Sequence, residues 1–212
     1  MNPTHRCRSM GGFSLVELML SLSLGFALSG VMLQGLMAEG QNGTRFSRLL
    51  RERAAQRRTL ELVKGDLARA SAVSATPEQE QHACGLSGRT PVLHVTTAAG
   101  PITYSVGRAP SSIWRGRVLM RCGPAFALDG ELSQGASALN RVVIDGLADQ
   151  PSAWQACSLQ TGTDLAGSAK QGFSVCLQPE MGLARLRLTQ QLGDPERNRP
   201  QRIEIEAVVP LV

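Results

Sequence analysis

From Leu18 to Ala38 the chain carries no charged side chain. As a helix rising 1.5 Å per residue, that stretch is roughly 31 Å long and matches a hydrocarbon core of about 30 Å. It reads as one membrane span, which disfavours soluble and cytosolic placements. The remainder of the 212 residues, with 42% hydrophobic and 18% charged content overall, suits one ordinary domain rather than wholesale disorder. A net charge of +5 is too mild for a dedicated nucleic-acid binder. With 4% aromatics there is also little material for base-stacking platforms, so no nucleic-acid partner is expected.

Ahead of the span, Met1 to Gly12 form a polar leader with His5, Arg6 and Arg8 that ends in Gly11-Gly12, and the apolar run starts abruptly at Phe13. A secretory signal peptide places its small residues on the far side of the apolar part. Here they come first, so a cut after Gly12 would leave the whole apolar stretch on the mature chain. One acid, Glu17, would be the fifth residue of that mature chain. A carboxylate in a membrane helix costs on the order of 2.5–3.5 kcal/mol at the centre and less near an interface, so it is normally paired and functional. An amine freed at Phe13 would lie in the same apolar layer, and pairing would neutralise both charges.

Residues Gly12-Phe13-Ser14-Leu15-Val16-Glu17-Leu18 resemble the prepilin cleavage and methylation motif of type IV pilins and type II secretion pseudopilins. The resemblance covers about the first 30 residues. It implies that a prepilin peptidase cuts after Gly12 on the cytoplasmic side and N-methylates Phe13. It also implies that Glu17 meets the new amino terminus of a neighbouring subunit and sets the axial register of a filament. The partners it implies are other pilin or pseudopilin subunits, the peptidase, an inner-membrane assembly platform and the lipid bilayer. The chain is then a minor pilin, or a pseudopilin of a secretion or DNA-uptake machine. A single-pass anchored binding protein that never assembles is the rival of a different class. Arginine counts pull against the implied orientation: Arg45, Arg48, Arg51, Arg53, Arg57 and Arg58 follow the span, against Arg6 and Arg8 before it. Peptidase access and the cysteines favour an inside leader.

Beyond the span, Phe46, Leu49, Leu50, Leu60, Val63, Leu67, Ala70 and Val73 recur at steps of three and four, one face of a helix running from about Phe13 to about Ser74 with no proline between Phe13 and Pro77. Pairs such as Glu61/Lys64 and Asp66/Arg69 have the i,i+3 spacing of a solvated face. Gly40 and Gly43 are the expected hinge. After Pro77 the texture changes to short apolar segments between Gly, Pro and Ser, predicting strands at Val92–Thr97, Ile102–Val106, Ile113–Cys122, Arg141–Asp145, Phe173–Gln178, Leu183–Thr189 and Arg202–Val209. Gly123–Ala138 and Pro151–Gly172 read as loops. Alternation in Leu183–Leu188 and Ile203–Glu206 marks a sheet with one wet side. The expected fold class is α+β: a long N-terminal helix, transmembrane in its first half, packed on an antiparallel β-sheet, which is also the pilin-like fold the resemblance implies. The expected organisation is a leader over 1–12, a transmembrane half-helix over 13–38, an amphipathic half over 39–76 and an extracytoplasmic β-rich domain over 77–212.

Of five cysteines, Cys7 would leave with the leader, so Cys84, Cys122, Cys157 and Cys176 remain on one side of the membrane. An even set in an exported domain reads as two disulfides with three possible connectivities, of which Cys84–Cys122 with Cys157–Cys176 closes the shorter loops. A cluster of reduced, buried thiols is the alternative. No C-x-x-C spacing is present, and His82 and His94 form no ligand pattern, so no metal or other cofactor is expected. Phosphate-loop, zincin and nucleophile-elbow signatures are lacking as well, and no catalytic residue is assigned. Trp114 and Trp154 read as core or loop anchors.

Overall fold

A computed structural model describes residues 14–74, 76–149, 163–165, 172–178, 181–193 and 201–211. Gly12, Phe13, Trp154 and Cys157 lie outside them. The chain divides into two compact units between Arg51 and Glu52. Helix α1 (Leu15–Ala68) begins in the first unit and ends in the second.

In the first unit α1 has no proline and is rich in Leu, Met and Ala, which favour a helix, although it also carries Gly25, Gly30, Gly35, Gly40 and Gly43. Every large apolar side chain from Leu15 to Met37 is 59% exposed or more. Among the described residues this apolar run is not part of a buried core.

In the second unit the last turns of α1 bury one stripe, Gln56, Thr59, Leu60, Val63, Asp66 and Leu67. The steps of three and four keep those residues on one face. Leu60, Val63 and Leu67 join a core built with Val95, Ile102, Tyr104, Phe173, Leu186 and others from the sheet. Gln56 reaches that sheet with its amide, donating to the Ile203 carbonyl at 3.3 Å.

Strands β1 (Ala70–Val73), β2 (Thr90–Thr97), β3 (Gly100–Arg108), β4 (Arg117–Gly123) and β5 (Leu139–Leu147) follow one another, each antiparallel to the next. β6 (Thr163–Leu165), β7 (Phe173–Gln178), β8 (Leu183–Leu192) and β9 (Gln201–Pro210) complete the sheet. The spatial order is β1-β2-β3-β4-β5-β8-β7-β6, with β9 on the other side of β8. β2 and β7, far apart in that order, nonetheless touch, so the sheet curls around its apolar face. Tyr104 and Phe173 meet across the curl with ring centroids 6.3 Å apart.

β5 and β8 are joined at one register pair, Leu147 with Gln190. The Gln190 amide donates to the Asp145 carbonyl at 2.7 Å, the Ala148 N–H to Thr189 at 3.0 Å and the Thr189 N–H to Gly172 at 2.7 Å. A side chain at Gly172 would place Cβ 2.7 Å from Cβ of Leu147 and 3.0 Å from the Ala148 backbone, so this junction requires glycine.

Several boundaries differ from the expectation. The helix stops at Ala68 rather than Ser74, and Ala70–Val73 becomes an edge strand. The Arg69 side chain turns back to donate to the Gly65 carbonyl at 2.9 Å, covering an acceptor the helix end leaves open. The strand expected from Ile113 starts at Arg117 because Gly116 takes a φ of +57° and Ile113 sits in a turn, 78% exposed. The loop expected over Pro151–Gly172 contains β6, which pairs with β7. The wet outer face is found on β8 and β9, where Arg187 pairs across strands with Glu204 and Glu206. On β2–β4 the outer face is instead covered, and Thr103, Ser105 and His94 are buried. The segment before β2 is tied to that region by the Cys84–Cys122 disulfide and by His82, which lies on Thr103.

Candidate functional site

In the first unit the candidate site is the start of α1. Ser14 stands just ahead of the helix, and its hydroxyl accepts from the Glu17 N–H at 3.3 Å while its carbonyl takes the Glu17 and Leu18 N–H groups at 3.0 and 3.1 Å. Ser-x-x-Glu is the capping-box pattern, so Ser14 is the N-cap and Glu17 the N3 residue. A carboxylate in this first turn also faces the positive end of the helix macrodipole. Farther along, the Ser21 and Ser23 hydroxyls each donate to the carbonyl three residues earlier at 2.9 Å. That internal bonding suits a medium offering no other partner. Leu15–Met37, 23 residues of mean hydropathy 1.8 with none of the span buried, has the length and composition of a single membrane-spanning segment. Its large side chains need lipid or other apolar helices around them.

In the second unit the helix is held to the sheet by a buried charged cluster. Asp66, with no exposure, accepts from Arg121 Nε at 2.7 Å, from Arg121 Nη2 at 3.1 Å and from the Tyr104 hydroxyl at 2.5 Å. The remaining Arg121 Nη1 donates to the Pro124 carbonyl at 2.9 Å, and the guanidinium lies 5.0 Å over the Phe126 ring. Burial alone would lower the Arg121 pKa, but the Asp66 carboxylate outweighs it and raises it. Burial, then the Asp66 charge, pushes the Tyr104 hydroxyl well above its ordinary value, so it remains a donor. The pair expected between Asp66 and Arg69 on a solvated face does not form: Asp66 faces the core and Arg69 pairs with Glu131 at 3.3 Å. Glu61 and Lys64 do pair, at 2.8 Å. A lone acid at helical spacing looks the same in sequence whether it faces water or a buried arginine three strands away.

A second tie between α1 and the sheet is made by Arg115, which donates to Glu52 at 2.8 Å and to Asp145 at 3.2 Å, while its own N–H donates to Asp145 at 2.9 Å. Both carboxylates are mostly buried.

Cys84 and Cys122 are disulfide-bonded, 38 residues apart in sequence with Cα atoms 5.9 Å apart. Cys176 is disulfide-bonded too, while Cys157, the partner expected for it, lies outside the described residues. From loop closure, replacing Cys84 and Cys122 by Ser should cost about 2–4 kcal/mol. Denaturant melts of the full chain should show that loss, and unchanged stability would mean that the unfolded ensemble does not feel the crosslink.

His82 and His94 present Nδ1 to the Thr103 hydroxyl at 3.2 and 2.9 Å, with ring centroids 5.9 Å apart. Burial lowers the His94 pKa, Glu80 opposes this and His82 adds to it. The unfolded chain therefore takes up this proton first as pH falls, and stability declines below about 6.5, the unperturbed value. Melting at pH 7.5 and pH 5.5 should show a larger drop for the native chain than for His94→Gln. Equal drops would place the acid sensitivity elsewhere.

Among the described residues, no group of three or more His, Cys, Asp or Glu side chains could hold a metal ion. Glu17 lies at the start of α1, Cys84 and Cys122 are joined over β4, Cys176 is on β7, and Gly12, Phe13 and Cys157 lie outside the described residues. Sequence reasoning missed the Ser14–Glu17 cap, although its pattern was legible, and the Asp66–Arg121–Tyr104 cluster, which had no local signal.

The architecture is pilin-like: a long N-terminal helix, apolar in its first part and packed by its last turns on a curled antiparallel sheet. No family model, no curated protein and no solved structure matches the chain. The fold is consistent with a structural subunit of pilin type, anchored by one helix.

Proposed function

We propose that the chain is a prepilin-like structural subunit, a minor pilin, cut after Gly12, N-methylated on Phe13 and added to a type IV pilus or pseudopilus. One observation carries this reading: a span-length helix opens on a single acid, and among the described residues its large apolar side chains are left uncovered. Such a helix is suited to exchange lipid for the helices of sister subunits. Before assembly it holds the subunit in the inner membrane, amino terminus cytoplasmic and folded domain outside.

In the assembled state the Glu17 carboxylate takes the methylated ammonium of a neighbour, and this pairing fixes how far one subunit is offset from the next. The folded domain then has to withstand an extracytoplasmic environment. The Cys84–Cys122 disulfide supports an oxidising compartment. A pseudopilus of a secretion or DNA-uptake machine uses the same helix and the same acid, and differs in the channel it serves. Prepilin peptidase and the assembly platform are the transient partners, and no enzyme activity is assigned.

The test is fractionation of cells producing the chain, with surface filaments sheared and pseudopili pelleted. The reading expects a mature species in one of those assemblies. A chain confined to the membrane as single copies, with no assembled fraction, would favour a non-assembling anchored protein.

A further inference from the structure

A cleft of about 410 Å³ opens in the second unit between α1 and the β4–β5 part of the sheet. Its volume falls in the range of binding pockets rather than of packing defects. Ala55 and Leu62 of α1, Phe126 of the following loop, and Leu139 and Val143 of β5 give it apolar walls. Three arginines also line it and no acid does. Arg121 is neutralised by Asp66 behind the wall. Arg58 on α1 and Arg141 on β5 are exposed, and among the described residues neither is paired with a carboxylate.

We propose that this cleft binds an acidic segment of a partner protein, in which an apolar side chain enters the cleft and flanking carboxylates meet Arg58 and Arg141. Two uncompensated cations on different elements, with an apolar wall between those elements, are matched by an acid–apolar–acid pattern. A compact monoanion would leave one of the guanidiniums unmatched. Nucleic acid is a poorer complement, because Phe126 is the aromatic side chain at the cleft and Arg121 and Arg69 already stand over its ring at 5.0 and 6.0 Å. Asp66 has a further role here, since it cancels Arg121 and leaves the positive charge of the cleft at its two rims. This site is independent of whether the chain assembles.

The experiment uses the full chain in phosphatidylcholine nanodiscs and a fluorescein-labelled octapeptide with Glu and Asp flanking a central Leu-Phe pair, read by fluorescence anisotropy. Arg58→Gln and Arg141→Gln should each weaken binding about fivefold, in keeping with exposed charge pairs. Ala125→Trp, which fills the cleft, should weaken it about tenfold or more. Arg108→Gln, at the end of β3 beside the Arg117 end of β4 and away from the cleft, should leave it unchanged. Melting of each variant separates lost binding from lost fold. The proposal is overturned if the two Arg variants bind as the native chain does, or if a peptide with Ser-Ser in place of Leu-Phe binds equally well. Tighter binding of an oligothymidylate of the same charge would also overturn it.

Discussion

Glu17→Gln should leave removal of the leader intact and reduce the assembled fraction tenfold or more, up to about a hundredfold. Gln is nearly isosteric with Glu and is the other residue accepted at the third position of a capping box, so the bonds from Ser14 to the start of α1 survive. What disappears is the negative charge. On docking, the methylated ammonium of the incoming subunit would then enter an apolar layer without a counter-charge, a cost of up to about 2.5–3.5 kcal/mol, the value at the centre of a membrane, which caps the effect at about two powers of ten in an equilibrium constant. The measurement is the ratio of mature subunit in sheared filaments or pelleted pseudopili to that in the membrane. Glu17→Asp, which keeps the charge but shortens its reach, should fall between the two. Normal assembly with Gln would leave Glu17 with no role beyond its place in the first turn of α1, where Ser14 caps its N–H.

Arg121→Met should destabilise the folded domain by about 3–5 kcal/mol, because it leaves the fully buried Asp66 carboxylate with the Tyr104 hydroxyl alone. For a domain of this size each kcal/mol shifts Tm by about 2–4 °C, so a drop of roughly 10 °C is expected. The double variant Asp66→Leu with Arg121→Met removes both charges together and should recover most of the loss, since two well-packed apolar groups need no desolvated partner. Lys64→Met, which breaks the exposed pair with Glu61, should change stability by less than about 1 kcal/mol. Equal effects of Lys64→Met and Arg121→Met would mean that water reaches the cluster and that burial does not set its strength.

What could be read from sequence followed from how local the governing physics is. The uncharged run to Ala38 and the stripe of Leu60, Val63 and Leu67 are patterns of one element, and they gave the span and the packed face of α1. Alternation along Leu183–Leu188 and Ile203–Glu206 gave β8 and β9 with their wet face. The end of α1 was misjudged because Ala70 and Val73 continue the helical spacing, while the backbone of that segment instead completes the open edge of β2. β4 began late because one glycine, Gly116, turns the chain in a way no apolar pattern reports. The covered outer face of β2–β4 depends on a disulfide and a histidine from the segment before β2, whose partners Cys122 and Thr103 lie 38 and 21 residues further on. The same holds for Asp66, whose partners lie 38 and 55 residues further on, in Tyr104 and Arg121.

Glu17 can meet a neighbour's amine only once a peptidase has created it at Phe13. The most direct measurement is intact and amino-terminal peptide mass spectrometry of the chain purified from its native membrane. A sequence beginning at Phe13 and carrying one extra methyl group is the predicted result. A functional chain that retains Met1, or one trimmed beyond Ala38, would contradict the account.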